Sequence, residues 1–121
     1  MPPIELILYL EDDGTVPLVE WLDGLIPKAQ DKCLVRLEEY GHEFRRPEAD
    51  YLGNDIYELR TKHLGVNYRM LYFFHGNKVL AASHGFSKQE ARGPKQEIDR
   101  AIRRMTEFRA APSKHSFKTE K

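Results

Sequence analysis

The spacing of apolar residues changes along this chain, and each change predicts an element. Ile4-Glu5-Leu6-Ile7-Leu8-Tyr9-Leu10 is a short apolar run bounded by Glu11-Asp12-Asp13-Gly14, which predicts a first strand ending in a turn. Leu18, Trp21, Leu22 and Leu25 then recur at helical spacing, with Thr15 as the expected N-cap and Pro17 in the first turn. Cys33, Leu34, Leu37 and Tyr40 mark the stripe of a second helix that starts near Pro27 and stops at Gly41. Residues 42–55, with Pro47, Gly53, Asn54 and many charges, read as a connecting loop.

Alternation then replaces the helical period. Strands are predicted at Ile56 to Thr61, Tyr68 to Phe74 and Val79 to Phe86, the last two joined through His75-Gly76-Asn77-Lys78. Tyr68 to Phe74 is apolar on both faces, as expected of a central strand covered on both sides. Ser87 to Gly93 reads as a polar loop. Pro94 opens a last helix whose apolar face is Ile98, Ala101, Ile102, Met105 and Phe108. The expected fold is a small α+β domain of order β-α-α-β-β-β-α. Its sheet is antiparallel (mixed), of about four strands, with a helical hairpin on one face. Residues 1–111 form this domain and 112–121 are expected to be a flexible basic tail.

Composition changes the picture in one respect. The 19 basic and 19 acidic residues cancel, but residues 1–59 hold 5 Lys/Arg against 14 Asp/Glu and residues 60–121 hold 14 against 5. An acidic half followed by a basic half suggests a polyanion partner for the latter. The single Cys33, in an apolar stripe, is expected to be a structural thiol. The start lacks a cationic flank and a long apolar run, so neither a signal peptide nor a membrane span is expected, and the cytoplasm is the expected location. Five histidines (His42, His63, His75, His84, His115) lack ligand spacing, so neither metal nor cofactor is expected.

The candidate chemistry lies in the second and third predicted strands and just after the fourth. Alternation puts Glu58, Arg60 and Lys62 on one strand face, with Arg69 brought alongside by the neighbouring strand. His63 ends that strand, His84 sits late in the last one, and Lys88 and Arg92 follow. Fixed guanidinium groups suit attack by a ribose 2′-hydroxyl on its own phosphodiester, because charge grows on the phosphate oxygens in the transition state. A lysine or histidine crowded by cations would accept the hydroxyl proton. Tyr68, Tyr72 or Phe86 would stack on an unpaired base. The alternative for Glu58 is a plain cross-strand ion pair with Arg60 or Arg69. The cations of the last helix, Lys95, Arg100, Arg103, Arg104 and Arg109, are either a solvated face or contacts to phosphates.

Four stretches in order, Tyr57-Glu58-Leu59-Arg60, Tyr68-Arg69-Met70-Leu71-Tyr72, His84-Gly85-Phe86-Ser87-Lys88 and Pro94-Lys95-Gln96-Glu97-Ile98-Asp99-Arg100-Ala101, resemble the RelE/ParE superfamily of toxins, closest to its HigB-like, phage-associated branch. The resemblance implies a toxin that cleaves mRNA in the ribosomal A site. It also implies a cognate antitoxin, commonly with a helix-turn-helix domain, and operator DNA contacted only through the toxin–antitoxin complex. Arg60 and Lys62 match the family's cationic strand positions, Arg69 its phosphate clamp, and Lys88 the first lysine of Phe-x-Lys-Lys, whose second is Gln89 here. Gly93-Pro94 stands where Thr-Pro is usual. His63, Lys62 and His84 remain open as general base, with Lys95 and Arg92 among the expected RNA contacts. Two other classes stay open: a ParE-like gyrase inhibitor, which would damage DNA and leave mRNA intact, and a catalytically weak antitoxin-binding or co-repressor module.

Overall fold

Leu6–Tyr9 is apolar on both sides because it enters a sheet that is covered on both sides. The computed structural model describes residues 5–40, 49–76, 79–88 and 95–118. Its elements are β1 (Glu5–Tyr9), α1 (Pro17–Asp23), α2 (Pro27–Tyr40), β2 (Ala49–Gly53), β3 (Ile56–His63), β4 (Val66–His75), β5 (Val79–Lys88), α3 (Lys95–Ala110), a 3₁₀ turn (Pro112–His115) and β6 (Ser116–Lys118). Among the described residues the sheet has six strands in the order β2-β3-β4-β5-β1-β6. β1 runs parallel to β5, and every other pair is antiparallel. The chain therefore leaves β1, crosses one face as α1 and α2, builds β2 to β5 as a meander, and returns beside its own start.

Each sheet face has its own core. Leu8, Leu59, Tyr68, Met70, Tyr72 and Leu80 pack with Leu18, Leu22, Cys33 and Leu37 of the helical hairpin. Ile7, Tyr9, Leu71, Phe73 and Ala81 pack with Ala101, Met105 and Phe108 of α3. β4 contributes alternately to both, as its two-sided apolar pattern predicts. Burial pushes the Cys33 thiol up to about 11, which leaves it an inert core group at neutral pH. Trp21 of α1 lies flat on Gly85 of β5, where any Cβ would overlap the indole ring, so only glycine fits.

Several expectations are corrected. The last part of the 42–55 loop is the edge strand β2: Asp50 and Tyr51 pair with Glu58 and Tyr57, and Tyr51 packs its ring 4.9 Å from that of Tyr57. Ala49–Gly53 has only two large apolar side chains, adjacent at Tyr51 and Leu52, so it shows no alternation. The stop expected at Gly41 lies outside the described residues. Thr15 does not cap α1; Val16 holds that position without a side-chain bond, and Thr15 instead donates from its amide and hydroxyl to Asp13. Residues 112–118 are not a loose tail. His115 is buried, stacks on Tyr9 at 5.1 Å and bonds the Leu10 carbonyl, and β6 then pairs with β1. Arg104, assigned to the wet face of α3, is buried over the Tyr9 ring and pairs with Glu11 at 2.9 Å.

The opposed charges of the two halves meet in this fold. Glu5 pairs with Lys118, Glu11 with Arg103 and Arg104, Asp12 with Lys114, Asp55 with Arg109, and Glu58 with Arg60 and Arg69. A large share of the sequence asymmetry is thus internal complementarity between chain segments distant in sequence. It is a weaker sign of a polyanion partner than the sequence suggests.

Candidate functional site

The β3–β4–β5 ladder fixes which side chains share a face. Arg60 lies opposite Arg69, which lies opposite Phe86; one row away Glu58 faces Leu71, which faces His84. On the other side of the arginine row, Lys62 is opposite Asn67, whose register partner in β5 is Lys88. Directly opposed residues project from the same face. The register of β4 and β5 shifts between Leu71 and Tyr72, so that Ser83 is an extra residue in β5. This bulge reverses the alternation. His84 and Phe86 turn to the α3 face beside the arginines, and Gly85 turns to Trp21.

Glu58 decides the electrostatics. It is 1% exposed and accepts from Arg60 Nη1 through Oε1 at 3.1 Å and from Arg69 Nη1 through Oε2 at 3.2 Å. Asp50 approaches Arg60 at 3.9 Å. One buried carboxylate therefore holds two guanidinium groups that are themselves 33% and 21% exposed. Like charges on opposed strand positions repel, so this juxtaposition needs such a bridge. The Nε of Arg69 is buried with no hydrogen-bond partner among the described residues, an orphan donor in a charged group.

His84 is equally fixed. Its Nδ1 is 2.8 Å from Ser83 Oγ and its Nε2 is 2.9 Å from Glu97 Oε1, which also accepts from Arg100 at 2.8 Å. Burial first, and then the nearby Arg104 guanidinium, push His84 down to about 4 against the opposing pull of Glu97. The ring is therefore neutral at pH 7, with both nitrogens occupied. The unfolded chain binds this proton near pH 6.5 and the folded chain only near 4, so between those values U carries more protons than N. His84 should accordingly withdraw roughly 2–3 kcal/mol of stability as pH falls from about 6.5 to 4. Denaturant midpoints measured across that window, with His84→Gln for comparison, check this: the variant should lose that part of the slope.

The expected site residues divide accordingly. Arg60, Arg69, Lys62 and Phe86 share one face, and the backbone of Lys88 reaches the same rung, its side chain lying outside the described residues, as do Gln89, Arg92 and Gly93-Pro94. His63 falls on the other face, in step with Leu59 and Thr61 and opposite Val66 of the helical-hairpin core. Tyr68 and Tyr72 belong to that core too. Tyr68 meets Trp21 edge-on and Tyr72 is fully buried against Tyr57, so neither is open to a base. The alternation rule alone separates them from Arg69. Lys95 is exposed and pairs with Asp99. Sequence reasoning missed Glu97 and Ser83 as partners of His84. Only the bulge and the approach of α3 bring them together, and neither leaves a local signal.

No described helix is long and apolar enough to cross a membrane. Residues 20–106 match the family model described as phage-derived protein Gp49-like (DUF891), a span that runs from the first turns of α1 to near the end of α3 and contains the arginine face. None of the curated proteins matches the chain.

Proposed function

The chain belongs to the phage-derived Gp49-like family, and from that premise we propose that it is the toxin of a toxin–antitoxin pair and cuts mRNA on the ribosome. The observation that carries this reading is the opposed Arg60 and Arg69, held by buried Glu58, with an Arg69 Nε that has no partner among the described residues. Guanidinium groups fixed before substrate arrives need no reorganisation when a phosphorane-like charge develops. The 2′-oxygen bonds to phosphorus as its proton leaves, and the bond to the 5′-oxygen breaks as that oxygen takes a proton from water. The products are a 2′,3′-cyclic phosphate and a 5′-hydroxyl. Of the three candidates for proton acceptor, Lys62 is the one on the arginine face and exposed; His63 faces away and His84 has both nitrogens engaged. Phe86, half-buried beside Arg69, is the ring we assign to meet a base.

A specific observation favours a second reading. Glu58 and Asp50 already offset the charge of the arginine pair, which suits a catalytically weak module that binds an antitoxin. Primer extension on a message translated in vitro separates the two. Cuts between codon positions that appear only with ribosomes support the endonuclease, whereas an intact message at a large excess of protein supports the weak module.

A further inference from the structure

The β3–β4 hairpin closes with a two-residue turn, Leu64-Gly65, between the paired residues His63 and Val66. Both turn residues have positive φ, 52° and 82°. Such turns select Asn, Asp or Gly at the first position, because a Cβ and a bulky side chain are strained there. This chain obeys that preference at its neighbouring hairpin, where Asn54 and Asp55 hold φ of 55° and 68°. At the β3–β4 tip it places a leucine instead, and that leucine is 81% exposed. Backbone strain that no packing offsets points to a use outside the fold.

The surroundings say what the side chain meets. Leu64 lies two residues after Lys62, which is exposed on the arginine face, and Lys32 of α2 donates to the Lys62 carbonyl at 3.1 Å. Among the described residues β2 pairs with β3 as far as Leu59, and beyond it Lys32 meets the Lys62 carbonyl. An apolar tip with the Lys32 ammonium at its base complements nucleic acid, where apolar wedges enter between bases while cations hold the phosphates. The tip lies four residues beyond Arg60, about 13 Å along the strand.

We propose that Leu64 is an RNA wedge: its side chain seats against an unstacked base of structured RNA in the ribosome, with Lys32 on the adjoining phosphate. This rests on the ribosomal reading of the arginine face, which it supplies with an anchor. The test measures binding of the full chain to ribosomes carrying a short message, by sedimentation, together with thermal unfolding. Leu64→Asn should unfold about 4 °C higher, because Asn tolerates the turn. It should bind ribosomes about tenfold more weakly, while Leu64→Met stays within about twofold of the parent. A Leu64→Asn protein that binds ribosomes as tightly as the parent overturns the wedge. So does one that keeps ribosome binding and loses only a protein partner, since the tip is then a protein contact. A parent chain that binds ribosomes through Leu64 but leaves the message whole overturns the endonuclease reading and keeps the wedge.

Discussion

Arg69→Ala is expected to reduce message cleavage by about two to three orders of magnitude, the loss typical of removing one preorganised donor to a developing oxyanion. The structural reason is positional. Arg69 is on the central strand β4, flanked by Arg60 on one side and Phe86 on the other, and its Nε has no hydrogen-bond partner among the described residues. Removing it leaves Glu58 with Arg60, so the buried carboxylate keeps one guanidinium and the fold survives with a cost of roughly 1–2 kcal/mol. Cleavage yield by primer extension and far-ultraviolet circular dichroism together check the expectation. Retained cleavage in a folded Arg69→Ala protein removes the arginine face from the mechanism. Arg60→Ala should be milder, because Asp50 and Glu58 both draw on that side chain already.

Deleting residues 112–121 is expected to destabilise the fold by roughly 3–5 kcal/mol, far more than loss of a loose tail. The segment makes two hydrogen bonds with Leu10, one from the Leu10 amide to the His115 carbonyl at 2.9 Å and one from His115 Nδ1 to the Leu10 carbonyl at 2.8 Å. It also supplies the ring stacked on Tyr9 and the β6 ladder along β1. Tyr9 is the hub of this end. Its hydroxyl donates to Glu107 at 2.6 Å, and burial together with that carboxylate holds the phenol well above its ordinary range. Without His115 and β6, the edge of β1 and one side of Tyr9 meet water. Denaturant unfolding of the truncated and full chains gives the difference. An unchanged midpoint would show that 112–118 contribute nothing to the packing of α3 against the sheet.

The two predictions draw on opposite kinds of information. Arg60, Lys62 and Arg69 were legible as a group because strand alternation is local and a short hairpin brings neighbours together. The same rule, applied one position away, excludes Tyr68 and Tyr72 from that face and assigns them to the core beneath α1 and α2. His84 was not legible. Its face depends on the extra residue Ser83, and an unbulged count from Ala81 would have pointed it toward the helical hairpin. Arg104 shows the limit of helical periodicity. A position that counts as solvent-facing on α3 is covered once β1 and the turn after it supply Tyr9 and Glu11.

Alone, the sequence determined the central elements, the two-sided burial of β4, the apolar stripes of the helices and the hairpin that carries the arginines, because these follow from periods of two and 3.6 residues within short windows. Tertiary structure decided the parallel seat of β1 beside β5, the capture of residues 112–118, the sharing of Glu58 between two arginines and the isolation of His84. Each of these joins groups far apart in the chain or depends on a one-residue shift in register. Local patterns carry no record of such partners, whose energies appear only when the segments meet.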